Sequence, residues 1–278
     1  MTSKTTYLQS RIKEFVERLA AETEEAKSSA PLLEYLRFAA SFHEYSLHNC
    51  FLIFGQMPTA THVAGFHAWR KLGRTVKRGE KGIAILAPIL VKRQSEDDPE
   101  ERTAQVVTRF RTVYVFDVSQ TEGDDLPEAP VLTGNACDED LALALTLFAD
   151  EQGITVQTEA ITGNAMGLSK GGIIVLDESL KGADRFAVMV HEIGHELLKH
   201  RERRYELDQK AREVEAESVA FVVCEHFGVS TTAPAYLGLH GADAKDIIVH
   251  LSNIVGVIQQ IIIGVESHLT AFQQAANQ

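Results

Sequence analysis

The chain has 278 residues, 45 % of them hydrophobic and 24 % charged, with a net charge of −12, a balance that argues against long disorder and allows two ordinary hydrophobic cores. Cys50, Cys137 and Cys224 are odd in number and form no CxxC pair, which argues against a disulfide framework and a cysteine zinc site. The stretch "MTSKTTYLQSRIKEFVERLA" lacks the apolar core of a secretory signal, so a cytoplasmic protein is expected.

The charge is uneven. Residues 61–94 hold eight Lys or Arg against one acid, whereas residues 131–278 hold ten against 21, and opposite fields suggest separate tasks. Leu8, Ile12, Phe15 and Leu19 recur at helical spacing, as do Leu32, Leu33, Leu36 and Phe42 after Pro31, so the first 57 residues are expected to be helical. "HVAGFHAWRKLG" predicts a short helix ending at Gly73. The turn Gly79-Glu80-Lys81-Gly82 feeds an apolar strand, Ile83 to Val91, and "AQVVTRFRTVYVFDV" completes a hairpin beyond a polar tip.

Residues 119–136, with acids, two prolines and two glycines, are the expected linker. A helix at about 138–152, strands at "ITVQT" and "GGIIVLDE", and helices through "VMVHEIGHELLKH" and "AREVEAESVAFVVCEHFG" follow. In the last helix, about 243–274, Ile247, Leu251, Ile254, Ile258, Ile261 and Val265 step as a heptad seam does, which fits either a domain core or a homodimer contact. Within it "NIVGVIQQIIIGV" falls short of the ~20 residues of a membrane span.

His191 and His195 are four apart, so on a helix both rings lie on one face and can grip one ion, while Glu192 reaches a water on that ion without ligating it. This is HExxH, filled as "HEIGH". One Zn²⁺ with two imidazoles and one carboxylate keeps an open position, and a water there ionises near neutral pH. Glu192 takes that water's proton as it attacks a carbonyl, then passes it to the leaving amine. Val188, Val190, Ile193, Leu197 and Leu198 surround the motif, Gly194 admits close approach of another backbone, and the strand "GGIIVLDE" is expected to receive an extended peptide at its edge. Eighteen residues beyond His195, Glu213 and Glu217 share one helical face with Glu215 turned away. One of that pair is the expected third ligand and the other hydrogen-bonds a ligating histidine. Tyr205, Tyr236 and His240 are candidate oxyanion stabilisers.

In the basic segment, Arg70, Lys71, Arg74, Lys77, Arg78 and Lys81 would follow phosphates while Trp69 or Phe66 stacks a base, the arrangement that holds single strands without reading sequence. Strand alternation puts Arg109 and Arg111 on one face, opposite Phe110 and Thr112, where they could extend the groove. Burial of Trp69 in the core is the competing reading.

Two resemblances gather these residues. HExxH with E-x-x-A-E on a later helix resembles the gluzincin-type zinc metallopeptidases, including the ImmA/IrrE-like proteins. That resemblance implies Glu213 as the ligand and Glu217 as support for the first histidine, although Glu217 stands where many relatives carry Asp or Asn. The run Trp69, Leu72, Gly73, Val76, Gly79, Glu80, Lys81 and Gly82, with its flanks, closely resembles the N-terminal single-stranded-DNA-binding domain of the ArdC antirestriction proteins, and the HExxH segment follows in that family's order. Together they imply an α+β protein of two domains: residues 1–122, helices with a small antiparallel sheet that bind single-stranded DNA, and residues 123–278, a zincin-like metallopeptidase domain. The implied role is antirestriction or DNA protection for a mobile element, with a protein or peptide as substrate. Two rivals stay open: a DNA-tethered protease that cuts a repressor, and a non-catalytic DNA-binding protein with a structural metal.

Overall fold

The computed structural model describes residues 3–26, 30–42, 45–93, 104–126, 138–163, 165–231 and 244–276. The chain divides into two units, one of Met1–Arg18 with Glu44–Pro127, the other of Leu19–His43 with Glu128–Gln278. Helices and small sheets occur in both, an α+β architecture.

The first unit contains the start of α1 (Ser3–Ala26), α3 (Leu47–Gln56), β1 (Val63–Gly65), α4 (Phe66–Lys71), β2 (Arg74–Val76), β3 (Ile83–Arg93), β4 (Ala104–Asp117) and β5 (Thr121–Gly123). Strands β3 and β4 form the expected antiparallel hairpin, with a register slip between Ile89 and Leu90, and β1 pairs with the other side of β4. That leaves β3 with an open edge, which α3 closes. Asn49 donates to Leu86 O and accepts from Leu86 N, both at 2.9 Å. Gln56 does the same at Ala84, at 2.9 and 3.0 Å. The two amides are seven residues apart, two helical turns, so they meet alternate residues of the strand and stand in for a neighbouring strand, which hides an edge otherwise prone to association. Leu8, Ile12 and Phe15 of α1 are buried, as are Phe51, Ile53, Ile83, Ile85 and Val115.

The expected linker begins too early. Residues 118–120 form a 3₁₀ turn and β5 pairs with β2, with Arg74 opposite Gly123 and Val76 opposite Thr121. Gly123, at φ +137°, backs directly onto this partner: a β-carbon there would fall 2.3 Å from Gly73 O, so only glycine fits. Residues 127–137 lie outside the described residues.

In the second unit, α2 (Ala30–Ala40), α5 (Asp138–Glu151), α6 (Gly182–Leu197), α7 (Gln209–His226) and α8 (Ala244–Ala276) accompany a sheet of β6 (Thr155–Glu159), β7 (Gly167–Ser169) and β8 (Ile173–Asp177). The strand order is β6-β8-β7, with β6 parallel and β7 antiparallel to β8. Strand β8 is therefore central and offers no edge to a peptide, contrary to expectation; the edge beside α6 belongs to β7. Ile174, Val175 and Leu176 are buried, together with Leu145, Phe148, Phe186, Met189, Ile193, Val219 and Val223.

Helix α8 is long and apolar enough to cross a membrane, over 29 residues from Ile248 to Ala276, so the apolar stretch is not too short as expected. Its seam is nevertheless consumed inside the unit. Leu251, Ile254, Ile258, Ile261 and Val265 are each 0 % exposed, and α8 packs on α5 and α7. Of the two readings of this seam, a domain core or a homodimer contact, the packing realises the domain core.

Candidate metal centre

Helix α6 keeps Phe186, Met189, Val190 and Ile193 in the core and turns His191 and His195, one turn apart, toward α7. Asp208 caps α7 by accepting Ala211 N–H at 2.7 Å, which starts that helix two turns before its small residues meet α6. Gly194 faces Ala216: a β-carbon at 194 would lie 3.6 Å from Ala216 Cα, so the approach is close but alanine would fit.

This packing delivers Glu213 to the histidine pair. His191 Nε2 and His195 Nε2 are 3.0 Å apart, and Glu213 Oε2 is 3.5 Å from each. Around a tetrahedral ion with bonds of about 2.0–2.1 Å, ligand atoms stand about 3.3 Å apart, so the triangle has the size that such an ion requires. The three side chains are the one metal-capable cluster among the described residues. Burial holds both imidazoles below their ordinary pKa, His195 at about 3, with neighbouring rings adding to the effect. Both are therefore neutral at pH 7, the form that ligates.

Glu192 sits beside the triangle, 7 % exposed. Burial first, and then the charges of Glu213 and Glu196, push its carboxyl up to about 7, opposed by the Ser169 N–H that donates to it. Strand β7 supplies that donor. Asp177 N bonds Met166 O and Lys170 N bonds Ile173 O, so alternation turns the backbone groups of Gly167 and Ser169 to the open side, toward Glu192. Glu196, one turn further along α6, accepts Ser169 Oγ at 2.5 Å and the N–H groups of Gly171 and Gly172 at 2.8 Å, and so pins the β7–β8 turn to the helix. A cleft of about 340 Å³ opens over His191 and Glu192, walled by Met166, Ala187, Val188 and Phe221, and Glu217 lines it as well. The Glu217 charge opposes the lowering of the His191 pKa.

Two residues escaped the sequence reading. Glu215, off the face that Glu213 and Glu217 share, is wholly buried, in close polar contact with His200 and His250 and paired with Arg203. Burial alone would raise its pKa, but hydrogen bonds from His200 and His250, with the charges of His250 and Arg203, bring it down to about 2. His200, at the end of "HELLKH", carries the other half of that contact. Tyr205 is 87 % exposed, paired with Arg204, and does not line the cleft; Tyr236 and His240 lie outside the described residues.

In the first unit Trp69 is corrected from a stacking platform to a core residue: it is 2 % exposed and its Nε1 donates to Phe116 O at 2.8 Å, so neither ring face is free for a base. Much of the motif around it is scaffold. Arg74 donates from Nε to Thr121 Oγ1 at 2.8 Å and also reaches Asp124 O, binding β2 to β5. Gln120 donates to Glu80 at 2.9 Å and to Lys81 O at 3.0 Å, holding the turn in which Gly79 takes φ +94°. What the scaffold presents outward is Arg70, Lys71, Lys77, Arg78 and Lys81, with Arg109 and Arg111 exposed on β4 and Phe66 41 % exposed under the Arg70 guanidinium.

Fold and site thus define an α+β chain of two units, one presenting a set of exposed cations and the other a two-histidine, one-carboxylate triangle beside a buried glutamate. Residues 5–116 match the sequence family described as the N-terminal domain of anti-restriction factor ArdC, and over that segment the chain is ArdC-like. An uncharacterized Bacillus anthracis protein is 25 % identical over 79 % of this chain and 44 % of its own length, so the chain spans less than half of that curated relative. Two crystal structures of the antirestriction ArdC protein from plasmid R388 are also similar. The metal-free one has 18 % identity and a TM-score of 0.44, covering 96 % of this chain and 98 % of that one. The Mn(II)-bound one has 17 % and 0.47, covering 85 % and 97 %.

Proposed function

We propose that the second unit hydrolyses peptide bonds with one divalent metal ion held by His191, His195 and Glu213, and that the first unit holds single-stranded DNA. The observation that carries the reading is the 3.0–3.5 Å triangle of ligand atoms with buried Glu192 at its side. Two nitrogen donors and one oxygen with an open position suit Zn²⁺. Bound there, the ion supplies Lewis acidity and an acidified water.

The protein's own groups do the rest. Glu192 takes the proton from the attacking water and returns it to the amide nitrogen, so the C–N bond breaks toward a neutral amine. Apart from the Ser169 N–H that Glu192 takes, the outward backbone groups of β7 pair with an extended peptide, which places its carbonyl over the triangle. Met166, Ala187, Val188 and Phe221 suit an apolar side chain next to the bond that is cut. Glu217 supports His191 from across the cleft.

In the first unit, Arg70, Lys71, Lys77, Arg78, Lys81, Arg109 and Arg111 follow phosphates. With an ArdC-type N-terminal domain in front, a cytoplasmic role in antirestriction or DNA protection for a mobile element fits both units. The test is Glu192→Gln in the full chain, scored for bound metal, DNA affinity and cleavage of added protein. Metal and DNA should stay while cleavage stops; cleavage that survives the substitution would remove Glu192 as the base.

A further inference from the structure

Behind the ligand triangle lies a second chain of polar contacts that the hydrolytic reading does not use. Helix α6 stops in a Schellman turn: Lys199 N donates to Glu196 O at 3.0 Å and His200 N donates to His195 O at 3.1 Å. Lys199 occupies the left-handed position at φ 56°, where glycine is usual and a β-carbon is disfavoured. The consequence is the placement of His200. The turn folds it back against His195, and the two rings meet Nδ1 to Nδ1 at 2.8 Å with their planes 76° apart.

Two ring nitrogens at that distance share one proton, and the rest of the site decides whose it is. His195 Nε2 faces His191 and Glu213, so an ion held there would take its lone pair and leave the neutral ring's proton on Nδ1. That proton is donated to His200 Nδ1. The proton of His200 then resides on Nε2, which lies 2.7 Å from Glu215 Oε2. Glu215 is held from the far side by His250 Nδ1 at 2.7 Å from Oε1, and by Arg203 Nη1 at 3.4 Å from Oε2. Every hydrogen bond from ligand to carboxylate runs in one direction, and each fixes the tautomer of the next ring.

We propose that His200 and Glu215 are positioning residues, a carboxylate–histidine–histidine relay that locks His195 in its Nδ1–H tautomer and aims Nε2 at the ion. This rests on the reading that His191, His195 and Glu213 hold a divalent ion. Carboxylates that orient a ligating histidine are a general device, and their loss weakens metal binding; here a second imidazole carries the effect because Glu215 faces away from the triangle.

The test uses the full chain with Co²⁺ and Zn²⁺. Leucine at 200 removes both ends of the bridge, whereas glutamine keeps an acceptor for His195 and a donor for Glu215. His200→Leu should weaken Co²⁺ binding about 10- to 100-fold and shift the cobalt d–d absorption, and His200→Gln should recover most of both. In the unaltered Zn²⁺-loaded chain, ¹⁵N shifts of the imidazoles should show His195 protonated at Nδ1 and His200 at Nε2, a readout that needs no variant. Wild-type affinity and spectrum in His200→Leu, or a proton on His200 Nδ1, would overturn the relay while leaving the metal site standing. Failure of the unaltered chain to bind Co²⁺ would instead overturn the underlying metal reading, and the relay with it.

Discussion

Gly167 stands against Glu192 so closely that a β-carbon at 167 would lie 2.7 Å from Glu192 Oε1 and 2.8 Å from its Cγ. The glycine is what lets the edge strand and the proposed general base share one space. Gly167→Ala must therefore displace the carboxylate, and a misplacement of that order costs about 100-fold in turnover. Cleavage of a denatured protein such as casein should fall by that factor while bound metal is unchanged, since the atoms nearest a β-carbon at 167 belong to Glu192 and Val188. Unimpaired cleavage in this variant would detach Glu192 from the chemistry.

The neighbouring glycine should behave in the opposite way. At Gly194 an added methyl meets Ala216 and Val219 at 3.6 Å, ordinary contact. Because glycine in a helix interior costs roughly 0.5–1 kcal/mol relative to alanine, Gly194→Ala should stabilise the chain by about that amount. Thermal unfolding measures it. A loss of stability would mean that α6 and α7 pack closer than 3.6 Å.

Asp117 makes the first unit acid-sensitive. Burial raises its pKa, but hydrogen bonds from the Ser119 hydroxyl and from the N–H groups of Ser119, Thr61 and His62 outweigh that and hold it below its ordinary value. A folded pKa below the unfolded value of about 3.9 gives stability that is complete above that pH and lost as pH falls through the folded value. Unfolding of the first unit should therefore shift to lower temperature below about pH 4. Asp117→Ala should remove that dependence and cost about 2–3 kcal/mol at pH 7, because three backbone donors are left without their acceptor.

On the DNA side, the scaffold residues and those that meet phosphates should separate cleanly. Charge reversal at Lys71, Arg78 and Lys81 should weaken single-strand binding and reduce the slope of log K against log salt by about 0.7 for each phosphate that is no longer neutralised, with folding intact. Trp69→Ala should instead cost about 3–5 kcal/mol of stability through its cavity. Titration by fluorescence anisotropy at several salt concentrations distinguishes them, and an unchanged slope in the triple reversal would place the strand elsewhere.

These contrasts mark what the sequence makes legible. The helices α5 to α8 and the strands β3, β4, β6 and β8 keep one period over enough residues to be read, and HExxH transfers directly because the spacing of four is a local property of a helix. Strands β1, β2, β5 and β7 are three residues each, too short to show alternation. Missing β7 is what assigned the peptide edge to β8. Trp69 among cations reads equally as platform or core until the Phe116 carbonyl is seen to take its N–H. His200 and Glu215 are hidden for another reason: their meeting depends on Lys199 accepting a left-handed backbone, which its side chain does not announce. The apolar seam of α8 fits a neighbouring helix of the same unit as well as a second chain, and only the packing of α5 and α7 decides between them.

The most direct test is the metal stoichiometry of the purified full chain, by elemental analysis after equilibrium dialysis, beside that of Glu213→Ala. Three convergent side chains predict one divalent ion per chain in the first protein and a large loss in the second. An unaltered chain that carries no stoichiometric ion, or a Glu213→Ala chain that keeps it undiminished, would contradict the site.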